Sequence, residues 1–178
     1  MILLFQNGKL KVRKLEEKDK SLLTKWLSDP LVLEYYEGRD NPFDLDKVME
    51  VFFHSKNEEI KCIVEFDCKE IGYIQFYQLE DEMIKELGYI NENVYGTDQF
   101  IGEVGYWNKG IGTLLVKTTV NYLIEHKKAD RVVMDPQIRN TRAIKCYVNC
   151  GFKTVKVLTN HELHEGEYQD CLLLEYQN

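Results

Sequence analysis

Positive charge is the scarcer kind in this chain: 23 lysines and arginines stand against 30 aspartates and glutamates, a net charge of −7 over 178 residues. Such a surface repels polyanions, so neither nucleic acid nor an anionic membrane is an expected partner, and a cationic small molecule is favoured. Long hydrophobic runs are missing as well. The opening Met1-Ile2-Leu3-Leu4-Phe5 lacks the basic region and the length of a signal-peptide core, and no segment approaches a membrane span. The five cysteines, Cys62, Cys68, Cys146, Cys150 and Cys171, contain no CxxC pair, and their odd number argues against a disulfide framework. Reduced thiols in a cytoplasmic protein are the expectation. Cys146 and Cys150 lie one helical turn apart, but no Cys/His quartet completes a zinc site. Repeats, low-complexity tracts and linkers are also lacking. With 44% apolar residues and this length, one domain spanning residues 1–178 is expected.

What is present reads as alternating strands and helices. Leu10 and Val12 mark a first strand ending near Leu15, and Asn7-Gly8 is a hairpin signal that would pair Ile2 to Phe5 with it. Leu22, Leu23, Trp26 and Leu27 predict a helix from Asp19 that stops at Asp29-Pro30. Leu33 to Asp40, with adjacent Tyr35 and Tyr36, reads as a loop, either binding a ligand or pinned to the core by its rings. Asp44 caps a helix whose Leu45, Val48, Met49, Phe52 and Phe53 form a core stripe. Ile60 to Phe66 and Ile71 to Leu79 make a hairpin, the first with Ile60, Cys62, Val64 and Phe66 on one face. Residues 80–93 read as an exposed acidic loop.

Val94 to Ile101 is the next strand, with Asp98 set into it. Asn108-Lys109-Gly110-Ile111-Gly112-Thr113 then opens a helix that buries Ile111, Leu114, Leu115, Thr118 and Tyr122. Glycines there let a ligand approach the unpaired first-turn N–H groups, a geometry suited to phosphate or pyrophosphate; a plain tight turn uses the same residues. Arg131 to Met134 is a strand stopped by Asp135-Pro136, which places Asp135 at the rim of the sheet. A helix from Asn140 to Cys150 ends at Gly151 with Phe152 packing back. Strands at Lys153 to Leu158 and Tyr168 to Tyr176 flank an acidic loop from His161 to Glu167. The pattern is an α/β or α+β sheet domain whose topology the pattern leaves open.

These blocks in this order resemble the GNAT N-acetyltransferases, and among them the aminoglycoside 6′-N-acetyltransferases, including the acetyltransferase halves of bifunctional aminoglycoside-modifying enzymes. The resemblance rests on Leu33 to Asp40, Ile71-Gly72-Tyr73, Val94 to Glu103, Tyr106 to Thr113, Asp135-Pro136, Arg142-Ala143-Ile144 and His161 to Gly166. It covers nearly the whole chain. One departure stands out: where the family pattern begins with Gln or Arg, three residues before its first glycine, this chain has Trp107. The resemblance implies a mixed, mostly antiparallel central sheet flanked by helices and a transfer of acetyl from acetyl-CoA to the 6′-amine of an aminoglycoside, conferring antibiotic resistance. Phosphotransfer is not expected.

Such a transfer needs a group to take a proton from the attacking ammonium, a donor for the carbonyl oxygen and help for the leaving thiolate. Asp98 is the candidate base or, alternatively, an anchor for the cation. By resemblance, an N–H near Phe100 or Ile101 serves the carbonyl oxygen, and Tyr147 serves as the acid, with a packed ring as its alternative. The resemblance also implies that Asn108, Lys109, Gly110, Ile111, Gly112 and Thr113 hold the pyrophosphate, that Asn140 and Ala143 meet the pantetheine, and that Arg139 or Arg142 meets the 3′-phosphate. Tyr35, Tyr36, Asp98, Glu103, Asp135, Glu162, Glu165 and Glu167 are the acids and ring faces open to a cationic aminoglycoside. No metal is expected: His161-x-x-His164 lacks the HExxH spacing of zincins. A monomer or weak homodimer is the expected state. The competing readings are a GNAT enzyme acting on polyamines or protein N-termini, and a non-catalytic acyl-CoA sensor.

Overall fold

The computed structural model describes residues 1–178. Strands β1 (Leu3–Asn7), β2 (Leu10–Lys14), β3 (Ile60–Phe66), β4 (Lys69–Gln78), β5 (Val94–Ile101), β6 (Arg131–Met134), β7 (Lys153–His164) and β8 (Glu167–Gln177) form one sheet in the order β1-β2-β3-β4-β5-β6-β8-β7. Every pair is antiparallel except β5 with β6. Asn7↔Leu10 closes the first hairpin around Asn7-Gly8, as the turn signal predicts. This is the mixed, mostly antiparallel sheet with flanking helices that the resemblance implies. No helix is long and apolar enough to cross a membrane.

Both faces of the sheet are covered. On one, α5 (Ile111–Lys127) packs Ile111, Leu115, Val116, Val120 and Leu123 against Val12, Cys62, Val64, Ile74 and Phe76. Leu114 and Tyr122, expected inside, are only partly buried there. On the other, α1 (Lys20–Trp26) and α3 (Leu45–Val48), the latter continued by a π-helical turn over Met49–Phe53, bury Leu23, Trp26, Val48 and Phe52 against Ile63 and Tyr73. β3 therefore buries both of its faces, where alternation alone predicts one. Leu45, at the head of the predicted stripe, is instead 44% exposed. α1 ends at Trp26, short of the predicted stop, and Asp29-Pro30 instead begins a short helix, α2 (Pro30–Leu33), because Asp29 accepts from the Leu31 N–H and proline suits the first helical position.

Two predicted loops are structured. Residues 80–93 contain α4 (Asp81–Leu87), whose Ile84, with Tyr89 beyond it, packs on Leu79, Val94 and Val133. Two apolar anchors are too few to produce a helical stripe in the sequence. The stretch from His161 is no loop either: β7 and β8 run on to a turn at Glu165-Gly166, pairing Glu162 with Gln169 and His164 with Glu167. β7 is an edge strand and mostly exposed, so its polar composition imitates a loop. All five cysteines are free.

α6 (Thr141–Asn149) ends as predicted. Gly151 takes φ +99°, its N–H reaches the Val148 carbonyl, and the Phe152 N–H reaches that of Tyr147. A second polar anchor lies in the β2–β3–β4 region. Arg13, 1% exposed, donates to both oxygens of buried Asp19 at 2.7 and 2.9 Å and to Glu65 at 2.6 Å. Removing one member of a buried pair strands the other without water or partner. Arg13→Met should therefore cost about 3–5 kcal/mol in urea unfolding. Lys9→Met, which breaks only the exposed pair with Asp67, should leave stability nearly unchanged.

Candidate active site

The cleft begins where two strands part. β5 pairs with β6 only through Val94, Tyr95 and Gly96, whereas β5 itself continues to Ile101. Beyond Gly96 the β6-facing edge of β5 has no strand partner. Hydrogen bonding alternates along an antiparallel pair, and the Gly102 N–H is bonded to Ile71 of β4's side. The N–H groups of Gln99 and Ile101 therefore fall on the free edge, while that of Phe100 turns toward β4. Of the two predicted carbonyl-oxygen donors, Ile101 faces the opening.

Two cavities flank this edge. The first, about 510 Å³, is lined by β5, the α5 N-terminus and α6, including Phe100, Ile101, Asn108, Gly110, Gly112, Thr113, Asn140, Ala143, Cys146 and Tyr147. Gly110 has φ +77° and caps α5 without any side-chain bond, so the first-turn N–H groups open into the cavity. Ile111 is buried in the core instead, and Lys109 lies over the Tyr106 ring, so neither lines it. Asn140 caps α6 by accepting from the Ala143 N–H at 3.2 Å. The charged side chains on this wall are Arg142 and Lys145, with no carboxylate. Arg142 stacks on Trp107, 4.0 Å from guanidinium carbon to ring centroid. The departure at position 107 thus still leaves a cation at the cavity, carried on the indole face. Arg139 is engaged elsewhere, donating to Gln137 and to the Glu34 carbonyl.

The second cavity, about 370 Å³, has the opposite character. It is lined by Tyr35, Tyr36, Glu37, Gln75, Thr97, Asp98, Asp135 and Glu162, among others, and by no lysine, arginine or histidine. It shares Tyr35, Tyr36, Gln99, Asn140 and Tyr147 with the first cavity, so the two meet at those residues. Three predicted acids lie apart from both. Glu103 accepts from Lys25 and from the Trp26 indole at 2.8 Å. Glu165 is clamped by the Arg39 guanidinium and backbone. Glu167 opens β8 beyond the hairpin turn, exposed to solvent.

Asp98 holds the centre. Burial is the largest influence on its carboxyl and raises the pKa to about 6, while a hydrogen bond from Gln75 opposes that rise and nearby Asp135 adds to it. Tyr147 is half-buried, and the loss of solvent around its phenol pushes its pKa up and keeps it protonated. Its oxygen accepts from Gln99 Nε2 at 2.7 Å, and Nε2 also faces the Met134 sulfur at 3.5 Å. A thioether cannot donate, so the amide nitrogen belongs on that side and the phenol proton is free to point elsewhere. Gln99 Oε1 and Thr97 Oγ1 are buried without a partner on the cavity walls. Gln75, Thr97 and Gln99 escape sequence reasoning because neutral polar residues in a strand carry no signal of their own. Asp135 bonds His161 at 2.7 Å, and Glu162 accepts from Gln137 at 2.9 Å. No group of three or more His, Cys, Asp or Glu side chains is arranged to hold a metal ion.

Known proteins share this architecture. The acetyltransferase (GNAT) domain model matches residues 16–159. An aminoglycoside N(6′)-acetyltransferase type 1 of Klebsiella pneumoniae is 27% identical over 164 residues, covering 86% of this chain and 78% of that protein. The structure of AAC(6′)-Ib with ribostamycin and coenzyme A superposes with a TM-score of 0.77 at 23% identity, covering 96% and 94% of the two chains. A spermidine N-acetyltransferase from Vibrio cholerae, solved with CoA and spermine, gives 0.77 at 19% identity over 96% of each. Sheet, cleft and family match agree: the chain belongs to the GNAT acetyltransferases, enzymes that draw an acetyl group from acetyl-CoA.

Proposed function

We propose that residues 1–178 act as one domain that acetylates the 6′-amine of aminoglycosides. One observation carries the reading: two joined cavities of opposite charge, one bearing cations over an open helix N-terminus, the other bearing carboxylates. A phosphorylated donor suits the first and a polyamine acceptor the second. The likeness to an aminoglycoside N(6′)-acetyltransferase supports naming that acceptor.

The residues of the first cavity fit acetyl-CoA. The N–H groups at the start of α5 and the Arg142 cation suit its phosphates, and the unpaired edge of β5 suits the amides of its arm. When bound, acetyl-CoA supplies an acyl carbon activated by its thioester. The Ile101 N–H would donate to the carbonyl oxygen as negative charge builds there. Asp98, ionised in most molecules at neutral pH yet basic for a carboxylate, takes the proton from the amine directly or through one water. The freed lone pair forms the new C–N bond as the C–S bond breaks and the electron pair leaves on sulfur; the second proton, shed as the nitrogen becomes an amide, passes to that thiolate. Tyr147 holds its proton too tightly to surrender it readily to a thiolate, so its main contribution is a hydrogen bond to that sulfur. Tyr35, Tyr36, Asp135 and Glu162 would hold the remaining ammonium groups.

Asp98→Asn should lower kcat by roughly 10²–10⁴ with little change in acetyl-CoA affinity, and Tyr147→Phe should lower it less. The same Asp98 substitution should stabilise the fold. Between about pH 4 and 6 the unfolded chain releases the Asp98 proton while the folded chain keeps it, so this group's contribution to stability falls as pH rises. At pH 7 Asp98→Asn should consequently melt no lower than the wild type. Lower kcat with a lower Tm would mean a damaged fold rather than a lost base.

The acceptor is tested by thiol release from acetyl-CoA with a kanamycin-type drug, its 6′-hydroxyl analogue and spermidine. Turnover with the 6′-amine and far slower reaction with the 6′-hydroxyl is the expected result. Activity on spermidine with none on the drug would replace the reading with polyamine acetylation.

A further inference from the structure

Beneath Asp98 lies a relay that the acetyl-transfer chemistry above does not use. Gln75 stands directly opposite Asp98 across the β4–β5 pair. Its Nε2 donates to Asp98 Oδ2 at 2.9 Å, and its Oε1 accepts from the Tyr73 hydroxyl at 2.7 Å. Tyr73, two residues earlier on the same face of β4, is fully buried. Phe52 meets its ring edge-on at 5.2 Å and Phe100 stacks on it at 5.6 Å. A ring so enclosed cannot swing away, and its hydroxyl bonds to the amide oxygen of Gln75.

We propose that Tyr73 and Gln75 are positioning residues for Asp98: the buried hydroxyl anchors the Gln75 amide through its oxygen, and the amide N–H holds that carboxylate ionised and aimed into the cleft. This inference rests on the reading of Asp98 as the base. Orientation is the decisive point. With its oxygen engaged by Tyr73, the amide offers Asp98 a donor, which favours the charged form. Reversed, it would offer an oxygen that only a protonated Asp98 could bond. The tyrosine holds the amide at its far end, so the glutamine side chain cannot swing away from Asp98.

The carboxylates around Asp98 work against its ionisation. Asp135 at the end of β6 and Glu59 before β3 repel its negative charge. Tyr36 from the loop after α2 and Tyr147 from α6 stand near it as half-buried neutral phenols. Tyr77, two residues beyond Gln75 on the same face of β4, favours the charged form as Gln75 does. Burial and two carboxylates push toward the acid; Gln75, locked by Tyr73, is the leading opposing contact. The device keeps a desolvated carboxylate basic without letting it be protonated throughout the neutral range.

The test is the pH profile of kcat/KM with a 6′-amino acceptor. Gln75→Leu should move the lower limb upward by about one pH unit, the worth of one hydrogen bond to a charged group. Tyr73→Phe, which keeps the ring, should move it the same way by less. The amine of the free acceptor titrates identically against every variant, so only a group on the enzyme can produce the displacement. A lower limb left in place in both variants overturns the proposal. A wild-type profile with no lower limb, together with near-normal kcat in Asp98→Asn, overturns the base reading and the relay with it.

Discussion

β5 and β6 share three paired residues and then separate, and most of what this molecule can do follows from that separation. A parallel pair that stays together buries both strand edges. Here the pairing stops at Gly96↔Val133, and Thr97 to Ile101 keep an edge open at the middle of an eight-stranded sheet. Because the wall of the cleft is an edge rather than a face, residues of opposite orientation line the same cavity. Asp98 and Gln99, neighbours that a flat sheet would send to opposite sides, both reach it. The cleft therefore unites the Tyr73–Phe100 side of the sheet with the α5–α6 side. It also places a carboxylate where protein has displaced much of the surrounding water.

Charge is distributed along that cleft in a way net charge does not convey. The chain carries −7 overall, yet the cavity beside α5 has Arg142 and Lys145 and no acid, while its neighbour has acids and no base. Other acids are spent on architecture. Glu103 ties the β5 terminus to α1, Glu165 ties the hairpin tip to the loop around Arg39, and Glu92 and Glu175 hold Arg131. A residue's sign says little about its task until its partners are known.

Local signals were the legible part of the sequence. The Asn7-Gly8 turn, the Asp44 cap, the Gly151 terminus and the glycine opening of α5 each depend on backbone chemistry within a few residues, and each stands where the sequence predicts it. Long-range facts were hidden. That Glu103 meets Trp26 and Glu165 meets Arg39 depends on contacts across 77 and 126 positions, which a single sequence does not encode visibly. α4 hid behind its acidic composition, and the distal half of β7 behind its exposure as an edge strand. Gln75, Gln99 and Tyr73 were the hardest to see: their importance lies wholly in what they face.

All of this turns on Asp98 being a carboxylate made unusually basic by its surroundings. The direct measurement is a ¹³C NMR titration of the Asp98 side-chain carboxyl in the free protein, assigned by its absence in Asp98→Asn. The structure predicts a midpoint near 6, raised by burial from the ordinary aspartate value, and a fall in that midpoint when a polycationic acceptor fills the acidic cavity. A midpoint at or below about 4 in the free protein, the value of a solvated aspartate, would contradict the account.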